Sequence, residues 1–419
     1  MRTTLLLVLL IVFGTAINAY AAEFDYEVRA GWGLSDNISR TAANEGDEEF
    51  AIIDLLVSGE HQTRRVDFAV DADVGFRHYS SNSFDDEVIG AFNVLLDYGI
   101  IPDVLTWRTS DKYGTLQSDP FQALTPDNRE NVNNFSTGPD LHIQFGGALA
   151  LDVGAYFRVN NFEVSNIDND VIGGNLALVR ALSSNRQYSL NLSADRIEYD
   201  DDTLGGFDRQ IAYVSFSSQI SRGSVKVDLG VNELHDGGVT QDGFYGDFSI
   251  QRELSSRSTL TLSYNQQLSD AGDIFRQFQD PGRSLGEPPD ISATASPFEN
   301  KRFQLGFDHE RKTSTWFLTA KLNEEDYIQD ASLNRRLYGI TVGAMKMLGD
   351  RWRAQLEGNL LRGELYTVGR DDDDIGLSFG LSNQISRSVD IRISLGLYER
   401  QSSDPLFDYR ENRIEITIR

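Results

Sequence analysis

The 419-residue chain has no cysteine, and only nine prolines, five histidines, four tryptophans and three methionines. Without cysteine there is no disulfide framework and no thiolate metal site, which suits a protein that crosses an oxidising compartment. Positive charge is scarce: 38 Lys and Arg stand against 64 Asp and Glu, for a formal charge of −26. Phosphate binding needs a basic face, so nucleic acid is excluded as a partner. Beyond the N-terminus no apolar run is long enough for a membrane helix, and the mean hydropathy is −0.35.

The N-terminus is different. Arg2 precedes an apolar run from Leu5 to Phe13, and Ala19-Tyr20-Ala21 is a small-x-small cleavage site. This reads as a secretory signal peptide over 1–21, with 22–419 as the mature chain. Loss of Arg2 takes the charge from −26 to −27.

The mature sequence alternates with a period of two. In "RRVDFAVDADVGFRHY", Val66, Phe68, Val70, Ala72, Val74 and Phe76 form an apolar row. Asp67, Asp71, Asp73, Arg77 and Tyr79 take the other phase. Such runs recur to the C-terminus, and they exceed the five or six residues of an ordinary strand. Short turns alternate with longer segments, among them Thr115 to Asn131 and Ser269 to Asn300. The short turns carry Arg64, Arg65, Arg186, Arg222 and Arg351, while acidic residues such as Asp371 to Asp374 fall to the long segments.

This pattern predicts an all-β, transmembrane, antiparallel up-and-down barrel of about 20 strands, with 18 as the alternative. The basic turns are expected to be periplasmic and the long acidic loops extracellular, in the Gram-negative outer membrane. Segments 104–113 and 243–254 are the weakest strands. Trp32, Tyr98, Trp107, Trp316 and Trp352 are placed for interfacial belts. Outer-membrane lipid, lipopolysaccharide and the barrel assembly machinery follow as expected partners.

No G-x-S-x-G, H-E-x-x-H or Walker motif is present, so no catalytic residue, cofactor or metal is expected. His142 points inward, with no acid placed beside it by sequence logic. Asp371 to Asp374 supply hard oxygen ligands but lack the spacing of a calcium loop.

The inward phase is the informative set. Asp71, Asp73, Arg77, Tyr79, Arg108, Lys112, Tyr156, Arg158 and Tyr213 are the lumen-facing candidates. They make a wet wall suited to ions or sugars, although any one charge is equally well explained as part of a structural ladder. Twenty strands enclose a backbone diameter of roughly 35–40 Å, which an open pore would leak through. A constriction is therefore expected from Phe121 and Leu124 in the first long loop, or Phe275 and Phe278 in the second.

"GWGLSDNISRT" (Gly31 to Thr41), the acidic loop before "FAIIDLLVSGE", the Arg64 to Tyr79 run and "TPDNRENVNNFSTGPDL" (Thr125 to Leu141) carry a resemblance. They resemble the outer-membrane β-barrel porins encoded with exopolysaccharide and exosortase (PEP-CTERM) systems. The resemblance implies a channel that passes a secreted polysaccharide, beside a periplasmic polysaccharide export protein. A general diffusion porin is the alternative, ahead of a surface enzyme or a plugged structural or adhesive barrel. The chain departs from outer-membrane proteins at its end, where Arg419 replaces the usual terminal aromatic residue.

Overall fold

The computed structural model describes residues 23–42, 46–81, 83–278 and 293–419. The expected leader and positions 279–292 of the second long loop lie outside them. Twenty strands follow one another in a single sheet. They begin with β1 (Glu23–Ser35), β2 (Glu48–Gln62), β3 (Val66–Tyr79), β4 (Glu87–Ile101) and β5 (Leu105–Gln117). Next come β6 (Arg129–Phe145), β7 (Leu149–Phe162), β8 (Asn169–Ser183), β9 (Arg186–Tyr199) and β10 (Phe207–Ile220). Then follow β11 (Gly223–Asp236), β12 (Val239–Ser255), β13 (Ser258–Ser269), β14 (Phe298–Arg311) and β15 (Ser314–Tyr327). The last are β16 (Arg335–Leu348), β17 (Trp352–Leu365), β18 (Arg370–Gln384), β19 (Asp390–Ser402) and β20 (Tyr409–Ile418).

Every strand pairs antiparallel with its neighbour in sequence, and β1 pairs with β20 to close the barrel. Twenty is therefore the strand number, and both weak segments are strands. The segment expected at 243–254 starts earlier, at Val239. Gly237 and Gly238, at φ 54° and 96°, make a two-residue turn of the kind that leaves no room for a loop.

One end of the barrel holds short turns, the start of β1 and the end of β20; the other holds the longer connections and, as the exception, the Gly237–Gly238 turn between β11 and β12. On the outer face, Ile53, Leu55, Leu190, Leu192, Ile340 and Val342 are exposed. So are Trp32, Tyr98, Trp107, Trp316 and Trp352. Among the described residues nothing covers this hydrocarbon surface. Three register shifts, at Gly99/Ile101, Ala181/Ser183 and Glu253/Ser255, all fall beside tight turns.

Several segments read as loops are strand. Asp371–Asp374 lie in β18, not in an acidic loop. Asp372 and Asp374 bind Arg370 and Arg400 at 3.0 and 2.7 Å, and Asp371 binds Arg362 at 3.0 Å. Cross-strand ion pairs extend the ladder past the membrane-length core. Glu324 and Glu325 do the same in β15, the second binding Arg335 at 2.8 Å.

The closing ladder is short. β1 and β20 share six residue pairs, Ala30–Ser35 against Ile418–Arg413, where every other neighbouring pair shares nine or more. Glu23–Arg29 have no ladder partner on that side, where Glu27 binds Arg419 at 3.3 Å. The loop end of the seam is locked instead. Fully buried Glu411 accepts from Ser35 Oγ at 2.7 Å, Arg40 at 2.8 Å and Arg413 at 2.7 Å.

Candidate functional site: a lumen divided by an inner helix

The segment after β13 turns into the barrel as an eight-residue helix, α1 (Ala271–Phe278). Asp270 caps it: its Oδ1 accepts from the Asp273 N–H at 3.0 Å, and its carbonyl accepts from the Ile274 N–H at 3.1 Å. Eight helical residues span about 12 Å, and strands lie about 4.8 Å apart, so on an outer surface α1 would cover two or three strands. It instead touches strands from β5 to β15, which only a position inside the barrel allows. Lys112 Nζ of β5 donates to the Arg276 carbonyl at 2.8 Å, and Arg209 of β10 reaches Asp273 at 3.1 Å.

Ile274 and Phe275 bury themselves against Leu116, Val132, Phe162, Phe298 and Tyr327, an apolar patch on the inner wall near the loop end. Phe275 is thus an anchor of α1 rather than a ring projecting into an opening. The side chain of Phe278 lies outside the described residues. Beneath the helix sits a charge cluster. Arg209 binds Asp195 at 2.7 Å, Asp273 at 3.1 Å and Asp270 at 3.5 Å, and Arg276 binds Asp273 at 2.5 Å. Burial alone pushes the Asp273 carboxyl up, yet Arg209, Arg276 and Arg158 bring it well below the usual carboxylate range. Burial, with Asp273 beside it, raises Asp270 despite the pull of Arg209.

The first long loop also folds inward. The Phe121 carbonyl accepts from Arg370 of β18, whose guanidinium lies 3.7 Å from the Phe407 ring centroid. Leu124 lines the remaining opening.

That opening is a cavity of about 720 Å³ against the half-wall formed by β15 to β20 and β1 to β4, with Gln117 of β5 and Arg129 of β6 beside it. It reaches from Arg392 and Arg419 at the turn end to Arg40 and Tyr409 at the loop end. Ten Lys and Arg line it against seven Asp and Glu, the reverse of the balance of the whole chain.

The nine inward candidates fall in several different settings. Arg77 and Tyr79 line the cavity; Arg77 binds Asp54 at 2.7 Å, and the Tyr79 hydroxyl donates to Glu87. Asp73 is partly buried and Asp71 exposed on the same inner face. Lys112, Tyr156 and Arg158 belong to the helix support. The Tyr156 hydroxyl donates to Asp195, and its ring lies 4.9 Å from the Arg158 guanidinium. Arg108 is a ladder residue, bound to Asp97 at 2.8 Å and Asp140 at 3.2 Å. Tyr213 packs on Tyr245 with ring centroids 4.8 Å apart.

His142 has an acid beside it after all. The β6–β7 register sets it opposite Asp152, with Nδ1 and Oδ1 2.5 Å apart, and Gln144 holds Nε2 at 3.3 Å. Among the described residues, no group of three or more His, Asp or Glu is arranged to hold a metal.

The helix was not read from the sequence. Its signal was there: Asp270-x-x-Asp273 is a capping pair just before the apolar Ile274 and Phe275.

The closed up-and-down barrel with a hydrocarbon outer face and a wet, partly filled lumen defines the class of fold. No family model and no curated protein matches the chain. Solved structures share the outline at low similarity. The ferric citrate transporter FecA, unliganded, is 9% identical, aligned over 94% of this chain and 78% of its own, with a TM-score of 0.46. The FrpB iron transporter of Neisseria meningitidis (F5-1 variant) is 10% identical over 94% and 82%, at 0.45. OpdQ of Pseudomonas aeruginosa is 11% identical over 95% and 98%, at 0.38. At this distance none of them lends its activity to the chain.

Proposed function

We propose that the protein is a channel of the Gram-negative outer membrane and that it passes a secreted exopolysaccharide. The exposed apolar face supports the membrane setting, because a closed barrel can pair its backbone groups where no water is present. The turn end then faces the periplasm, and lipid, lipopolysaccharide and the assembly machinery are its surroundings. A periplasmic export protein would meet the turn end.

The cavity beside α1 is the observation that carries the channel reading. It runs the height of the wall and is lined by arginine, carboxylate and tyrosine side chains. Such a wall gives many weak contacts, and a chain in transit needs contacts it can leave. Together with the sequence resemblance, this favours a polymer. The helix narrows the lumen to one side, which equally suits small solutes, so a general porin is the second reading.

Two measurements test this. Purified full-length protein in a planar bilayer should form steady single channels; a barrel that never conducts sinks the channel reading. Deletion of the gene should leave polymer inside the cell or periplasm. Normal secretion by the deletion strain favours the general porin.

A further inference from the structure

We propose that Arg353 of β17 and Arg392 of β19 form an anion-binding site at the turn end of the lumen, for carboxylate- or sulfate-bearing ligands. This rests on the channel reading and adds the chemistry of what enters.

The register builds the pair. Arg353 and Arg392 both stand opposite Ser382 of β18, one from each side, in a row that continues to Thr417 of β20. Two strand spacings separate them by roughly 10 Å at the backbone, within which two long guanidinium side chains can converge on one bound group. Both line the cavity, as does Ser382 between them.

Their partners set them apart from the other wall arginines. Arg77, Arg129, Arg400 and Arg413 each hold a carboxylate at 2.7–2.8 Å. Neither Arg353 nor Arg392 has a carboxylate within 4.0 Å among the described residues. Arg392 is held by neutral groups: Nε donates to Ser394 Oγ at 3.1 Å and Nη2 to Gln355 Oε1 at 3.3 Å. It lies across Gly380, where a Cβ would come 3.0 Å from Nη2. Gly380 thus leaves the space in which the guanidinium rests flat on the wall.

Like charges on neighbouring positions of a sheet repel. In a chain with 64 carboxylates and 38 cations, two such positions without a paired acid leave positive charge for a solute. Asp390 and Glu415 line the same cavity without touching either arginine, which keeps the local field moderate and the binding weak. Arginine forks match carboxylate and sulfate oxygens in pairs. At the turn end Arg29 and Arg419 share one acid, Glu27, at 2.7 and 3.3 Å, so with Arg353 and Arg392 the cations there outnumber their bound carboxylates, and anions are drawn to that end.

The test uses the full-length barrel in a planar bilayer. A KCl gradient reads ion preference, and added oligogalacturonate, citrate and neutral dextran read blockade. Wild type should prefer chloride over potassium and show blockades with oligogalacturonate but not dextran. R353Q/R392Q should lower the anion preference by about twofold or more and shorten the blockades. D390N/E415Q should move both readouts the other way. Citrate blockade alone assigns a small anion, and oligogalacturonate blockade a polymer; either supports the site. A conducting R353Q/R392Q barrel with unchanged preference and unchanged blockade overturns it while leaving the channel reading intact. If the wild type never conducts, the channel reading falls. Calorimetric titration of oligogalacturonate into wild type and R353Q/R392Q then decides the site, and equal heats overturn it.

Discussion

Arg209 of β10 and Asp273 of α1 meet 3.1 Å apart with both side chains almost fully buried, so a residue of the wall and a residue of the inner helix share one charge cluster. Removing one member of a buried pair costs about 3–5 kcal/mol, because the partner stays buried and uncompensated. D273N should release α1 from the wall without opening the barrel. Single-channel conductance should rise or flicker between two levels, and a trace identical to wild type would show that α1 does not restrict flow.

Deleting Gly272 to Ala295 should raise conductance further and remove the flicker. F275A, which strips the anchor of α1 from its apolar bed, should behave like a milder D273N. Large aromatic truncations in packed sites cost about 3–5 kcal/mol, here felt as undocking. Unchanged conductance in the deletion would exclude this segment as the constriction.

Acid should not open the channel across the ordinary range. The Asp273 carboxyl is held below its usual range, so its contribution to docking is present above the ordinary value of 3.8 and is lost only as pH falls toward the lower, docked value. Asp270 is shifted upward, so its ionisation opposes docking and acidification tightens α1. Conductance at pH 5 should therefore equal or fall below that at pH 8, and D270N should flatten the difference. A rise between pH 8 and pH 5 would contradict this sign.

Val342 and Thr341, adjacent in β16, test which face meets lipid. Val342 is exposed on the outer face and Thr341 lines the cavity. V342R should cost about 2–4 kcal/mol of stability in lipid, as charges do at the middle of a barrel's outer face. T341R should cost far less and should shift ion preference toward anions. Urea titrations of refolded protein in vesicles give the first quantity and reversal potentials the second.

Y156A and R158A should act through the helix and not through a passing polymer. Both residues lie in the α1 support, with Tyr156 bound to Asp195. Their conductance traces should resemble that of D273N. Y79A, on the cavity wall, should instead change blockade times with little effect on open current.

The barrel was legible because period-two patterning is local, and each strand announces its own two faces. Where the pattern failed, the cause was non-local. Leu116, Val132 and Phe162 put hydrocarbon on the inner face, against the expectation of a wet wall, because α1 covers them. The acidic run at Asp371 looked like loop because two of its cations, Arg362 of β17 and Arg400 of β19, come from the neighbouring strands. Nor can any single strand reveal that Arg353 and Arg392 share Ser382; that needs two registers at once. Tyr156 and Arg158 lie on the inner face, yet facing inward does not mean facing open water.

The seam between β1 and β20 bears on how the barrel assembles. Nineteen ladders join neighbours along the chain and form as hairpins, with short closure distances. The twentieth must bring together groups such as Ser35 and Glu411, 376 residues apart. Loop-closure entropy grows only slowly with length, but it falls here on the ladder with the fewest pairs. Closure is thus a single long-range event late in folding, fixed by the Glu411 lock at one end and held at Glu23–Arg29 by the Glu27–Arg419 ion pair without a backbone ladder. The same stretch is where thermal opening should begin, and its amides should exchange with solvent deuterium before those of any internal hairpin.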